Sequence, residues 1–151
     1  MTADQLMNTA PDVLRDTDTI GTAAERLMGH RYRSLPVVDE EGRFLGIIGV
    51  NCMLRLVLPK AAVMAKGLTE LSFVSASLED LRSRLRDVVD EPVTTCLDKD
   101  APTVHPDTPK IEALLTLYRT KTALCVVDKD TKRLLGVISY FDVGERLMAG
   151  F

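Results

Sequence analysis

Apolar positions along the chain fall into two matching series. In the first, Val13–Leu14 is a short apolar pair, followed by Ile20, Ala23, Ala24, Leu27 and Met28 at three- and four-residue spacing. That stripe predicts a helix burying one face. Asp18 and Thr19 stand where such a helix needs a cap, and Gly29 is its expected stop. Leu35–Val38 is a β-branched-rich run, Asp39–Gly42 has turn chemistry, and Phe44–Val50 is apolar enough for a strand buried on both faces. Asn51 opens a second helix through Leu58, which Pro59 ends. The second series repeats the plan. Thr103–Val104 is the short strand, Pro106–Pro109 the helix entry, and Ile111, Leu114, Leu115 and Tyr118 the helical stripe. Strands at Leu124–Val127 and Leu134–Ser139 flank a turn at Asp128–Thr131, and a helix over Asp142–Met148 closes the unit with Val143 and Leu147 on one side.

The series align residue by residue. Leu35, Val37, Val38 and Asp39 return as Leu124, Val126, Val127 and Asp128, an offset of 128 − 39 = 89. The same offset lays Asp18, Thr19 and Ala24 on Asp107, Thr108 and Ala113; one extra residue near Arg133 raises it to 90, so that Leu45, Gly46 and Ile48 fall on Leu135, Gly136 and Ile138. Each copy is a complete strand–helix–strand–strand–helix unit, too large for a solenoid tooth. Two such units predict a pseudo-symmetric pair whose shared seam is a place for a ligand. The expected division is a first repeat over 1–58, a helical connector over 59–87, and a second repeat over 88–151. In the connector, Ala61–Gly67 reads as a weakly amphipathic helix. Ser77 and Asp80 form a capping box for a helix over Leu78–Arg86. Leu78, Leu81 and Leu85 give that helix an apolar face, and Arg82, Arg84 and Arg86 a basic one, which is either solvated surface or a docking face for a partner.

Composition narrows the function classes. A chain of 151 residues fits one compact domain or two small units sharing a core, and a single repeat is near the size at which a core is marginal. The hydrophobic share of 46% argues for a packed core over disorder. Net charge is −3 with acids and bases interspersed, so no stretch forms a footprint for a nucleic-acid backbone. The most apolar region, Phe44–Leu58, is broken by Asn51 and Arg55 and is too short to span a bilayer. The start MTADQLMNTA lacks the basic and apolar segments of a signal peptide, and a cytoplasmic location is expected. Cys52, Cys96 and Cys125 are widely spaced and odd in number, and are read as free thiols in packing roles within a reducing compartment. His30 and His105 sit in no metal-ligand spacing, and the chain has neither a nucleophile elbow nor a Walker loop. The expectation is a protein that is not an enzyme. The enzymatic alternative is a cleft cysteine activated by a histidine met in space.

The strongest local motif is Gly136-Val137-Ile138-Ser139-Tyr140-Phe141-Asp142, where a buried strand gives way to a helix. Together with the duplicated Leu-x-Val-Val-Asp strand and its turn, it resembles the cystathionine-β-synthase (CBS) domain family. The resemblance covers both repeats. It implies an α/β (α+β) fold of two βαββα CBS repeats packed as a pseudo-two-fold pair, the Bateman module, acting as a stand-alone regulatory sensor. The implied ligand is an adenine nucleotide such as AMP, ADP or ATP in the inter-repeat cleft, with no cofactor required. The implied partners are a second copy of the chain in a homodimer and a regulated protein, with Cys52–Leu58 and Val143–Met148 as candidate dimer contacts. By family position, Asp142 holds the ribose with Ser139 beside it, Thr103, Val104, Ala123 and Leu124 sandwich the base, and Arg33 meets phosphate. A carboxylate suits vicinal hydroxyls because it accepts two strong charge-assisted hydrogen bonds, and an adjoining helix N-terminus offers free N–H groups to phosphate. Ser-x-x-Asp at a helix start is equally a capping box, and the two roles are compatible. The first repeat departs from the pattern. Its segment Gly46-Ile47-Ile48-Gly49-Val50-Asn51-Cys52 has Gly49 for the hydroxyl and Cys52 for the carboxylate, so at most one ribose-carboxylate site per chain is expected. The competing reading is a ligand-free structural or dimerisation module.

Overall fold

The structure, a computed structural model, describes residues 1–59, 62–63 and 77–151. The first repeat holds β1 (Leu14–Arg15), α1 (Ile20–His30), β2 (Ser34–Val38), β3 (Phe44–Gly49) and α2 (Val50–Val57). After α3 (Leu78–Val88) come β4 (Thr103–Val104), α4 (Lys110–Thr120), β5 (Leu124–Val127), β6 (Leu134–Ile138) and α5 (Tyr140–Met148). Two separate three-stranded sheets result, ordered β1-β2-β3 and β4-β5-β6, each with a parallel first pair and an antiparallel second. The expected helix over Ala61–Gly67 lies almost wholly outside the described residues.

Each helix forms for a readable reason. The Thr19 side chain accepts a hydrogen bond from the Thr22 N–H (3.2 Å) and caps α1, whose buried residues are Ile20, Ala23 and Leu27. Gly29 is not the stop: α1 runs to His30 and ends on Arg31 in the left-handed conformation (φ 57°). In α4, Ala113 and Leu117 are buried, and Lys121 makes the same left-handed exit (φ 60°). The structural equivalents are thus Ala23 with Ala113, Leu27 with Leu117 and Arg31 with Lys121, an offset of 113 − 23 = 90. This corrects the helix register read from the sequence, where Ala24 was laid on Ala113. The offset falls to 89 only across β2 and β5, because the loop before β5 is one residue shorter, and the longer turn ending at Arg133 restores it.

The sequence pattern gave no hint of how the repeats are joined. Each repeat lends its leading segment to the other. The first residues of the chain lie on the second repeat: the Ala3 N–H donates to the Thr108 carbonyl (2.8 Å), and Asn8 and Val137 exchange two backbone bonds (2.8 and 3.0 Å). Ninety residues on, the Val93 N–H donates to the Asp18 carbonyl (2.9 Å), and Asp98 and Ile47 exchange the equivalent pair (2.8 and 3.0 Å). Each core is therefore completed in trans. Ala3 and Leu6 pack with Val104, Leu124, Val126 and Ile138, whereas Val93 and Cys96 pack with Leu14, Leu35, Val37 and Ile48. The pseudo-two-fold axis passes near Arg43 and Arg133, which form an antiparallel bridge; there the Phe44 N–H donates to the Lys132 carbonyl (2.9 Å) and the Leu134 N–H to the Gly42 carbonyl (3.0 Å).

This exchange explains the glycine that opens the family-like motif. A Cβ on Gly136 would stand 2.7 Å from the Asn8 carbonyl oxygen, and one on Gly46 would overlap the Asp98 carbonyl oxygen. Only a residue without a side chain lets the lent segment approach the strand so closely.

α3 begins at Ser77, whose hydroxyl accepts from the Asp80 N–H (3.1 Å) while the Asp80 carboxylate accepts from the Ser77 N–H (3.0 Å). The helix packs against α2, with Leu81 and Leu85 half-buried and Leu78 exposed. On its exposed side, Arg82 and Arg86 both reach Glu79 (3.5 and 2.9 Å). No helix among the described residues is long and apolar enough to cross a membrane.

Candidate functional site

The face of each sheet turned away from its own core carries Pro36 and Ile47 in the first repeat and Cys125 and Val137 in the second. Those four residues line one inter-repeat cavity of about 160 Å³, the second cleft, together with Asp12, Tyr32, Ala123, Ser139 and Asp142. A related first cleft of about 680 Å³ opens at the equivalent junction of β3 and α2, among Arg33, Gly49, Cys52, Arg55, Cys96 and Thr122. The two clefts correspond under the pseudo-symmetry, Gly49 and Cys52 standing where Ser139 and Asp142 stand.

In the second cleft, Ser139 caps α5. Its hydroxyl accepts from the Asp142 N–H (3.1 Å), and Asp142 Oδ2 accepts from both the Ser139 N–H (3.0 Å) and the Ser139 hydroxyl (2.8 Å). The capping role is thus fully formed. It occupies one carboxylate oxygen; Oδ1 takes no hydrogen bond from the described residues. At the rim, Tyr32 donates to the Asp12 carboxylate (2.5 Å), a bond that raises the phenol's pKa above its ordinary value. Cys125 is buried in the wall, and desolvation pushes its thiol up to about 12, so it remains protonated and inert.

The residues expected at a nucleotide site are distributed as follows. Asp142, Ser139 and Ala123 share the second cleft. Arg33 lines the first cleft instead. Val104 and Leu124 are buried in the second repeat's core, and Thr103 is exposed on β4, lining neither cavity. Residues not anticipated are Asn8, Asp12 and Tyr32 in the second cleft and Asn51, Arg55, Cys96, Asp98 and Thr122 in the first. Asn8 and Asp98 had a detectable signal, since Leu6-Met7-Asn8 and Cys96-Leu97-Asp98 sit at the offset of 90 shown by the second strands.

The cysteines require a correction. Cys52 and Cys96 are not free thiols but are joined in a disulfide, with Cα atoms 6.0 Å apart. That spacing lies in the usual range for a bridge. Sequence separation hid the pairing because Cys96 belongs to the lent segment. The histidines have packing partners: a ring nitrogen of His105 lies 3.0 Å from the Val127 carbonyl oxygen, and His30 stacks on Tyr32. No cluster of metal-ligating side chains occurs among the described residues.

Comparison with known proteins matches this geometry. The CBS domain family model covers residues 3–58 and 85–148. The chain belongs to the CBS domain family. Both matched stretches include a lent segment, so this CBS pair extends further than the internal echo at 13–52 and 102–142. A CBS domain-containing protein of unknown function from Kribbella flavida shares 22% identity, with a TM-score of 0.71 over 97% of this chain and 98% of the other. CBSX2 from Arabidopsis thaliana, described as a CBS-pair protein, shares 19% identity with a TM-score of 0.72 over 97% and 93%. A structure of CBSX2 in complex with AMP aligns with a TM-score of 0.69 at 19% identity, over 97% and 95%. Identities this low establish the shared fold. No curated protein sequence matches the chain significantly.

Proposed function

We propose that this CBS pair is a regulatory module that takes an adenosine-containing ligand in its second cleft and transmits occupancy to a partner protein. The observation that carries this reading is the Asp142 carboxylate on the cleft wall, with Oδ2 committed to the α5 cap and Oδ1 left for a ribose hydroxyl. A cavity of about 160 Å³ is smaller than the roughly 300–1,000 Å³ of ordinary ligand sites, so the ligand enters by opening the rim that the first repeat closes with its Tyr32–Asp12 bond. A closed and an open arrangement with different ligand affinity are what regulation requires. AMP in the related CBSX2 supports the ligand class. The first cleft has room and the guanidinium groups of Arg33 and Arg55, but no carboxylate at the ribose position. Homodimerisation is proposed through exposed apolar side chains at the helices, including Leu54 and Leu58 near α2 and Phe141, Leu147 and Met148 on α5.

Thermal melting with AMP, ADP and ATP tests the proposal. A ligand at 100 times its Kd stabilises the folded state by about 2.7 kcal/mol, which raises the Tm of a chain this size by roughly 5–10 °C. Asp142→Asn keeps a capping acceptor and removes the charge; it should melt close to wild type and lose the shift. A melt that no adenosine compound moves would favour the second reading, a ligand-free dimerisation module, for which the self-sufficient Ser139–Asp142 cap is the supporting observation.

A further inference from the structure

We propose that Cys52 and Cys96 form a reversible thiol–disulfide exchange site on the wall of the first cleft, taking low-molecular-weight disulfides as its oxidant. This goes beyond the nucleotide reading and holds whether or not the second cleft binds a ligand. Four observations converge. Cys52 is the third residue of α2, in the first turn, where the helix field and the N–H groups favour a thiolate. Arg55 Nη2 lies 3.3 Å from Cys52 Sγ and adds a positive charge at the same atom. Cys52 is only half-buried and borders the cavity of about 680 Å³, giving a small disulfide access. Cys96, its partner, is buried on the lent segment with its Cα 6.0 Å away, placed to resolve an intermediate. Cys125 is the internal contrast: buried, with no cationic side chain bonded to its sulfur among the described residues, and held protonated by desolvation.

The chemistry balances without further reagents. The reduced Cys52 thiolate attacks one sulfur of an external disulfide, forming a mixed disulfide and releasing one thiolate. Cys96, losing its proton to solvent, attacks Cys52 Sγ, forms the internal bond and releases the second. One external disulfide is reduced to two thiols, and the protein dithiol is oxidised by two electrons. The bond ties the segment lent by the second repeat to α2 of the first, so oxidation fixes the first cleft at the position where the second cleft carries Asp142.

The test uses the intact chain. Native protein is treated with dithiothreitol, desalted, and divided between timed iodoacetamide labelling and excess oxidised glutathione, with peptide mass mapping of both. The expected result is that dithiothreitol opens the pair without denaturant and that Cys52 labels at least tenfold faster than Cys125. Oxidised glutathione should regenerate Cys52–Cys96, with two reduced glutathiones released per chain. Cys96→Ser should retain one glutathione on Cys52, and Arg55→Ala should slow Cys52 labelling several-fold. The proposal is overturned if the pair opens only in denaturant, if Cys52 labels no faster than Cys125, or if wild-type protein keeps glutathione on Cys52. Each of these is read on wild-type protein, so a variant that misfolds does not shelter the idea.

Discussion

The two clefts share a backbone and differ in chemistry. At the β6–α5 junction, Ser139 and Asp142 make a reciprocal cap and leave a carboxylate oxygen on the cleft wall. At the β3–α2 junction, Gly49 provides no side-chain cap, and Cys52 is bonded to Cys96. In the lent segments, Leu6 stands where Cys96 stands, so the second repeat holds its visiting segment by apolar packing and the first holds its own by packing plus a covalent bond. The difference shows how duplication separates roles. Gly46 and Gly136, which the fold needs for close approach, are the same in both copies, while the positions that face the cavities have diverged.

The largest effect should come from loosening the visiting segment that has no covalent tie. Leu6→Ala removes a buried side chain from the second repeat's core and should cost about 2–5 kcal/mol in urea unfolding, despite lying near the start of the chain. A change under 0.5 kcal/mol would mean the segment does not complete that core. Next come the glycines. Gly136→Ala should destabilise by about 1–3 kcal/mol through collision with the Asn8 carbonyl. Gly46→Ala should cost more, because its Cβ would stand closer to the Asp98 carbonyl oxygen and its φ of 153° disfavours any side chain; a smaller cost than Gly136→Ala would contradict that reading.

The third prediction exploits a titratable group on one side only, since Cys125 is the counterpart of Pro36. The Cys125 thiol is raised in the folded chain from 9.0 to about 12 by burial. Between those values the unfolded chain binds fewer protons than the folded one, so stability falls as pH rises. The contribution is whole below pH 9.0 and declines toward pH 12, with a loss of about 1.4 kcal/mol at pH 10. Melting curves from pH 8 to 11 should show the decline in wild type and a flatter profile in Cys125→Ala. The smallest effect concerns features the repeats share. Arg31→Gly and Lys121→Gly each relieve a left-handed side-chain residue and should raise stability by up to about 1 kcal/mol, equally in both halves. Unequal responses would break the structural equivalence of α1 and α4.

Much of the fold was legible because burial leaves a periodic trace. Ile20, Ala23 and Leu27 announced α1, and the β-branched runs announced β2 and β5. The one-residue slip in the helix alignment arose because Asp18-Thr19 and Asp107-Thr108 match in letters while the caps are Thr19 and Pro109. The lent segments escaped notice because short 3₁₀ turns such as Ala3–Gln5 and Val93–Cys96 have no amphipathic period, and nothing local in a sequence says which core such a turn completes. The Cys52–Cys96 pairing was hidden for the same reason. At the candidate site, Ser139 and Asp142 were visible as a motif, whereas Asp12 and Tyr32 reach the cleft only through tertiary folding.

The asymmetry between the clefts is tested most directly by calorimetric titration of AMP or ATP into wild-type chain and Asp142→Asn. The account predicts one ribose-dependent site per chain, with binding lost in the variant while its melt stays near that of wild type. Two equivalent sites per chain, or undiminished binding to Asp142→Asn, would contradict it.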